Sequence, residues 1–434
     1  MHRYSVIDRE MQDSSPRLTT RLVVAIAFAA AHLALFTLAG HVRTGVPFYD
    51  HSDSPAYAHL DAVMTSGYPR EPQHWSRLVV SRWDAQNYIG TAVRGLAACP
   101  TSARARDIDF LECGLGWLPA YGEAGRLVTH TTGLAEDVSL LAISILAAIA
   151  INFMWLSRTI VDRLGAWQAG AALVAFNLFP TAFYVVTPYP EAATIALCLG
   201  GFLALSRERW VLAGLLIGAA TALRIQAGAF GLALAAAALV AAHARRRGGD
   251  NRWWWPLLAV PLAGWGQCVE MLALRIYTGD AFAFWRARVA FGDTNRVWRL
   301  WHPNYYLKAF SAQHMDGVIL GGALVVIFLT ARRVLREFRR EEAVFLAIAS
   351  FATVPIAIMA PMGYWGMSRY LLLCPLLFLG GAALLRRQAV LGILWFALCA
   401  MFYWKIELCS YISQGSKNAC PQLGRLECAL PWGS

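Results

Sequence analysis

The stretch Arg82-Trp83-Asp84-Ala85-Gln86-Asn87-Tyr88-Ile89 lies in the longest polar region of an otherwise very apolar chain. Set on a helix, Ile89, Val93 and Leu96 share one face, and Asp84 and Tyr88 point away from it. Such a helix can lie on a membrane with its apolar side down and Asp84 turned into a cavity above it. A carboxylate held there, beside an aromatic ring, suits a general base for a reaction at the membrane surface. Without a function, the same helix is an interfacial anchor, its Trp and Tyr at headgroup level and its Asp simply solvated.

Three further ionisable residues stand in or beside apolar runs, where charge is costly and needs a reason. Glu191 ends the Pro-rich turn Thr187-Pro188-Tyr189-Pro190-Glu191. Arg224 interrupts Ala222-Leu223-Arg224-Ile225-Gln226-Ala227-Gly228, and Arg369 lies in Tyr364-Trp365-Gly366-Met367-Ser368-Arg369-Tyr370. Two arginines at lipid depth suit a phosphate, which a guanidinium binds bidentately. Taken singly, each has a plainer explanation: the arginines snorkel to headgroups and Glu191 favours the start of its own helix. All four residues, counting Asp84, approach one predicted face of the membrane from four separate segments, and that coincidence points to a site.

The elements that must position them follow from composition. The chain has 434 residues, 58% hydrophobic and only 15% charged, with a formal charge of +11. Lysine occurs only at Lys308, Lys405 and Lys417, so the basic balance is almost entirely arginine. These arginines cluster at the ends of apolar spans, as orientation signals do, which argues against a nucleic-acid partner. Runs long enough to cross a bilayer predict about eleven helices: 21–40, 138–157, 167–186, 190–206, 210–223, 227–243, 253–276, 315–330, 343–361, 368–385 and 388–404. The expected fold is an all-α polytopic membrane protein, with a tail over 1–20, a bundle over 21–404, a long and partly helical first loop over 41–137, and a further tail over 405–434. The first span resembles a signal peptide in part, but its apolar core is longer than a signal sequence needs and reads as a retained helix. Arginine-rich short loops alternate along the chain and predict a cytoplasmic N-terminus, with the long loop and the C-terminus outside.

Cysteine usage agrees with this layout. Cys198, Cys268, Cys374 and Cys399 fall in predicted spans and read as core filler. Cys99, Cys113, Cys409, Cys420 and Cys428 all fall in segments assigned outside, as disulfide candidates would. Asp107-Ile108-Asp109 reads as a solvated turn, and His51 with Asp53 lacks a third ligand, so no metal site is expected. Glu270 is expected to pair with Arg224 or Arg275. No Walker motif, no GxGxxG before a helix and no GxSxG is present, so ATP hydrolysis, dinucleotide chemistry and α/β-hydrolase chemistry lack support.

These motifs together resemble the PIG-V mannosyltransferase family, part of the GT-C superfamily. Trp83-Asp84-Ala85-Gln86-Asn87-Tyr88 resembles its W-D-x-x-x-Y signature, and Trp117-Leu118-Pro119-Ala120-Tyr121 its F-x-P-x-Y segment. Phe179-Pro180-Thr181-Ala182-Phe183 with Tyr189-Pro190-Glu191 resembles its F-P-x-x-F and Y-x-E block. Leu223-Arg224-Ile225-Gln226-Ala227-Gly228 resembles its T-R-x-x-G turn, and Ser368-Arg369-Tyr370-Leu371 its R-Y-L motif. The order matches over most of residues 20–390. Asn87 stands where a histidine or aromatic is usual, Leu223 replaces threonine, Pro190 a small polar residue and Gly122 a proline.

The resemblance implies a glycosyltransferase that passes a hexose, mannose first, from a polyprenyl-phosphate donor to a glycolipid or glycan acceptor. It implies inversion at the anomeric carbon, no cofactor, Asp84 as general base, and donor or substrate contacts at Trp83, Gln86, Asn87, Tyr88, Tyr189, Glu191, Arg224, Gln226, Arg369 and Tyr370. The expected setting is a bacterial inner membrane, with the active site on its outer side. A transporter or flippase of lipid-linked sugars, or a non-catalytic binder of them, would use the same arginines without chemistry.

Overall fold

The computed structural model describes residues 18–41, 85–96, 116–290, 316–359 and 366–404. Every regular element among them is helical. Six stretches are long and apolar enough to cross a membrane: Leu18–Leu35, Glu136–Leu164, Ile225–Arg247, Trp255–Thr278, Gly317–Arg336 and Arg340–Ile358. Large apolar side chains such as Phe328, Leu239 and Ile276 face outward from them. Long apolar helices that expose side chains of this kind point to an integral membrane protein.

The helices are α1 (Leu18–His41), α2 (Ala85–Arg94), α3 (Ala120–Thr132), α4 (Glu136–Trp155), α5 (Arg158–Leu164), α6 (Ala166–Asn177), α7 (Glu191–Ser206), α8 (Trp210–Leu223) and α9 (Gly228–Arg247). They continue with α10 (Ala259–Leu262), α11 (Trp265–Thr278), α12 (Ala283–Ala290), α13 (Asp316–Arg336), α14 (Arg340–Met359), α15 (Gly366–Leu371), α16 (Pro375–Arg387) and α17 (Ala389–Trp404). Three expected spans are broken, each at residues that cannot continue a helix. The span at 167–186 stops as α6 at Asn177, ahead of Pro180, and resumes as a 3-10 turn over Ala182–Val185. Pro256, Pro261 and Gly264 divide the span at 253–276, and Pro375 separates α15 from α16. Proline removes a backbone donor and restricts the residue before it, so helices end there. In contrast, α13 runs on past residue 330 through Arg332, Arg333 and Arg336, since arginine is a good helix former.

α4 packs between α1 and α7, α7 packs on α8, and α8 on α11; α16 lies against α6, α13 and α17, and α9 against α14. An aromatic cluster of Trp155, Phe176, Phe179 and Phe378 fills the middle, with ring centroids 5.2–6.2 Å apart. A buried polar chain crosses the same level. The Asn177 amide donates to Asn152 Oδ1 at 3.0 Å, Asn152 donates to the Ala25 carbonyl at 3.4 Å, and the His32 ring meets the Asn177 carbonyl at 2.7 Å. This chain ties peripheral α1 to α4 and α6, where lipid offers no alternative partner.

At one end of the bundle Arg339 joins the α13–α14 turn to the α7–α8 turn. It donates to Glu342 at 3.0 Å, to Glu208 at 3.1 Å and to the Ser206 carbonyl. Burial draws its pKa down, but the Glu342 hydrogen bond and the nearby carboxylates outweigh this and hold it above the usual arginine range. Of the cysteines in spans, Cys198, Cys374 and Cys399 are buried as expected, whereas Cys268 is exposed. Cys99, Cys113, Cys409, Cys420 and Cys428 lie outside the described residues.

α2 does not lie flat on a surface with one face down. Ala85, Asn87, Tyr88, Ile89, Thr91 and Ala92 are all buried, and Val93, expected on the apolar face, is the exposed one. α2 is wedged against α3 and α4. Glycine permits this: a Cβ at Gly122 would lie 2.6 Å from Thr91 Cβ and 2.9 Å from the Tyr88 carbonyl, and one at Gly125 would lie 2.4 Å from Leu140. Gly122→Val therefore forces α2 away from α3. The expected loss is about 1–3 kcal/mol of stability, read as a lower unfolding midpoint of the detergent-solubilised protein, with Gly170→Ala, where a Cβ meets nothing within 4 Å, as a comparison outside the interface.

Candidate functional site

Glu191 is the first residue of α7 and is 3% exposed. Pro190 fixes the backbone just before it, and the helix N-terminus favours its negative charge. Arg224, 7% exposed, holds an extended conformation between α8 and the 3-10 turn Ile225–Ala227. Arg369, 8% exposed, projects from short α15. Arg224 Nη2 lies 2.7 Å from Glu191 Oε1, and Arg369 Nε donates to the same oxygen. Three turns far apart in the sequence thus supply one buried cluster of two guanidinium groups and one carboxylate. Glu191 Oε2 and Arg224 Nε are buried with no hydrogen-bond partner among the described residues.

Tyrosines line this cluster. The Arg369 guanidinium lies 4.4 Å from the Tyr184 ring centroid and 4.7 Å from that of Tyr189. Arg224 lies 5.5 Å from the Tyr370 ring. A cation over an aromatic face gains more when desolvated, as here. Tyr189 meets Tyr184 edge-on at 5.0 Å and Tyr88 at 6.3 Å, and Tyr88 meets Tyr121 at 5.3 Å. Tyr121 Oη lies 2.6 Å from Ser144 Oγ and 2.9 Å from the Leu140 carbonyl, and Ser144 Oγ lies 3.1 Å from the Tyr189 carbonyl, so two hydroxyl protons serve three contacts. Burial pushes the Tyr121 phenol well above its ordinary range, so it remains a neutral donor. Thr181 donates to the Ser368 carbonyl at 3.1 Å and fixes α15 against the turn after α6.

The structure brings Tyr88, Tyr189, Glu191, Arg224, Arg369 and Tyr370 together. Asn87 is buried beside them with its Oδ1 lacking a partner among the described residues. Gln226 is half-buried and makes no side-chain hydrogen bond among those residues. Gln86 belongs to α2, and Asp84 and Trp83 lie outside the described residues. Glu270 pairs with neither Arg224 nor Arg275. It accepts the Ala120 backbone N–H at 2.8 Å and so caps α3 from α11, a task that Pro119, with no side-chain cap of its own, leaves open. Tyr184 and Ser144 were not singled out by sequence. Tyr184 sits in the run Phe183-Tyr184-Val185-Val186 and looks like filler, and only the fold places a guanidinium over it.

Comparison with family models, with curated proteins and with solved structures finds no match. The motif resemblance therefore rests on the residues quoted for it.

Glu191, Arg224 and Arg369 together carry a formal charge of about +1. Removing Glu191 leaves two buried guanidinium groups facing each other. Glu191→Gln is expected to cost about 3–5 kcal/mol of stability. The Glu191→Gln and Arg224→Gln pair is expected to cost less than the sum of the two single changes, because the partners are removed together. Chemical denaturation of the four proteins of this cycle in one detergent measures both.

Proposed function

We propose that this protein is a membrane glycosyltransferase of GT-C type, moving a hexose from a polyprenyl-phosphate donor to a glycolipid or glycan acceptor. The observation that carries this reading is the buried Glu191–Arg224–Arg369 cluster with its tyrosine wall. An ion cluster of this kind is seldom needed for stability, since apolar residues of similar volume do as well or better. Ionisable residues among membrane-spanning helices mark functional paths. The six long stretches and the shorter apolar helices α7, α8 and α17 make nine, and this reading also counts α6 and α16 to reach eleven spans. The arginine-rich turns then face the cytoplasm, and the cluster faces the opposite side.

In this reading the donor phosphodiester carries one negative charge and rests against Arg224 and Arg369. The acceptor hydroxyl attacks the anomeric carbon, its proton passes to Asp84, and the bond from that carbon to the phosphate oxygen breaks. Polyprenyl phosphate leaves with a second negative charge that the two guanidinium groups stabilise as it develops. One displacement inverts the anomeric centre. Tyr88, Tyr189 and Glu191 shape the sugar pocket. α2 supports the assignment of Asp84, because the residues that follow it are buried and Tyr88 touches Tyr189.

The test is to incubate purified protein with polyprenyl-phosphate-mannose and a total lipid extract and look for a mass increment of one hexose. Asp84→Asn is expected to lower transfer by at least about a hundredfold, the usual scale for a general base, while donor binding persists. Near-normal turnover of Asp84→Asn would overturn the mechanism, and success only with another lipid-linked sugar would change the donor.

A further inference from the structure

A polar cavity lies away from the Glu191 cluster, at the other end of the bundle. Glu191 starts α7, and the far end of that helix, Ser206, is held by Arg339 in the α13–α14 turn. Beside that turn, an open cavity lies between α5, α6, α13 and α16. Its polar wall is Arg163, Gln168, Arg333, Glu337, Arg386 and Arg387. Four guanidinium groups against one carboxylate is a large excess of one sign in a small space, and like charges so placed repel.

The structure answers only part of that charge. Arg163 pairs with Glu342 at 3.4 Å and Arg386 donates to Gln168 at 3.0 Å. Arg333 and Arg387 have no hydrogen bond or ion pair among the described residues. Helix C-termini explain why basic residues stand at the ends of α5, α13 and α16. They do not balance the charge of the four that converge on this cavity. An anion does.

The surroundings select the kind of anion. Trp167, next to Gln168 in α6, is exposed, as tryptophan at headgroup level is. Leu329, one turn before Arg333 on α13, is exposed, and so are Leu391 and Leu394 on α17 just after Arg387. A polar cavity with outward apolar faces directly beneath it matches a phosphate attached to acyl chains. We propose that this cavity binds the phosphate headgroup of an anionic membrane phospholipid, with Arg333 and Arg387 as its main contacts and the chains lying along α13 and α17. The site is separate from the Glu191 cluster and stands or falls apart from it.

The experiment is native mass spectrometry of the full-length protein in detergent, titrated with phosphatidylglycerol or with phosphatidylcholine of the same chains. The Arg333→Gln/Arg387→Gln protein is expected to bind phosphatidylglycerol more weakly by about fivefold per arginine, roughly 25-fold in all, with phosphatidylcholine unchanged. Arg247→Gln, which removes an exposed charge from the end of α9, should leave binding as it is. Glu337→Gln, which removes the cavity's one carboxylate, should strengthen it several-fold. An equal loss with Arg247→Gln would mean that net charge alone attracts the lipid, and unchanged binding in the double variant would remove the site; either overturns the proposal. Full displacement of the lipid by millimolar inorganic phosphate would overturn it too, since the site would then serve a soluble anion. If the double variant does not fold, failure of Glu337→Gln to strengthen binding decides against the site.

Discussion

Glu191 Oε1 receives both Arg224 and Arg369, and the surrounding architecture depends on that contact. Taking three ions out of water costs several kcal/mol for each, and only close pairing recovers it. The three residues arrive from the N-terminus of α7, the break between α8 and α9, and short α15. Glu191 begins its helix, Arg224 lies between two helices, and Arg369 sits in a helix of only six residues. The breaks let backbone leave the helical path and aim a side chain inward, as irregular backbone in a membrane does when it lines a polar space.

The tyrosines extend the contact outward. Tyr184 and Tyr189 present ring faces to Arg369, and Tyr189 is fixed through its carbonyl by Ser144 of α4. Tyr121 holds the same serine, and Tyr88 of α2 leans on both Tyr121 and Tyr189. A change in α2 or α3 is thus felt at the guanidinium groups through packed rings and two hydroxyls. The small side of Gly122 matters for this reason: it lets α2 come close enough for Tyr88 to join the wall.

The two ends of the bundle handle arginine differently. At the Glu191 end, two guanidinium groups are buried and share one carboxylate. At the other end, arginines are exposed, numerous and only partly paired, with Arg339 linking Glu208, Glu341 and Glu342. The first arrangement holds a charge in place away from water, and the second meets a surface. Both use the planar fork of arginine, which a lysine ammonium does not reproduce.

Much was legible in the sequence because it is local. Apolar runs gave the helices, and charge inside those runs singled out Glu191, Arg224 and Arg369 as misplaced, but the expected spans ran through Pro180, Pro261 and Pro375, where the structure breaks them. Helical periodicity misjudged α2, because its apolar stripe predicts one buried face whereas α2 is covered nearly all round, and no local pattern states how many neighbours a helix has. Glu270 met a backbone N–H rather than an arginine for a related reason: its partner is set by where α11 lands on α3. Composition and spacing thus determined the helices and their odd charges. Only tertiary packing decided that Arg369 meets a glutamate 178 residues away, with Tyr184 beneath it, since contacts between separate helices depend on how whole surfaces fit.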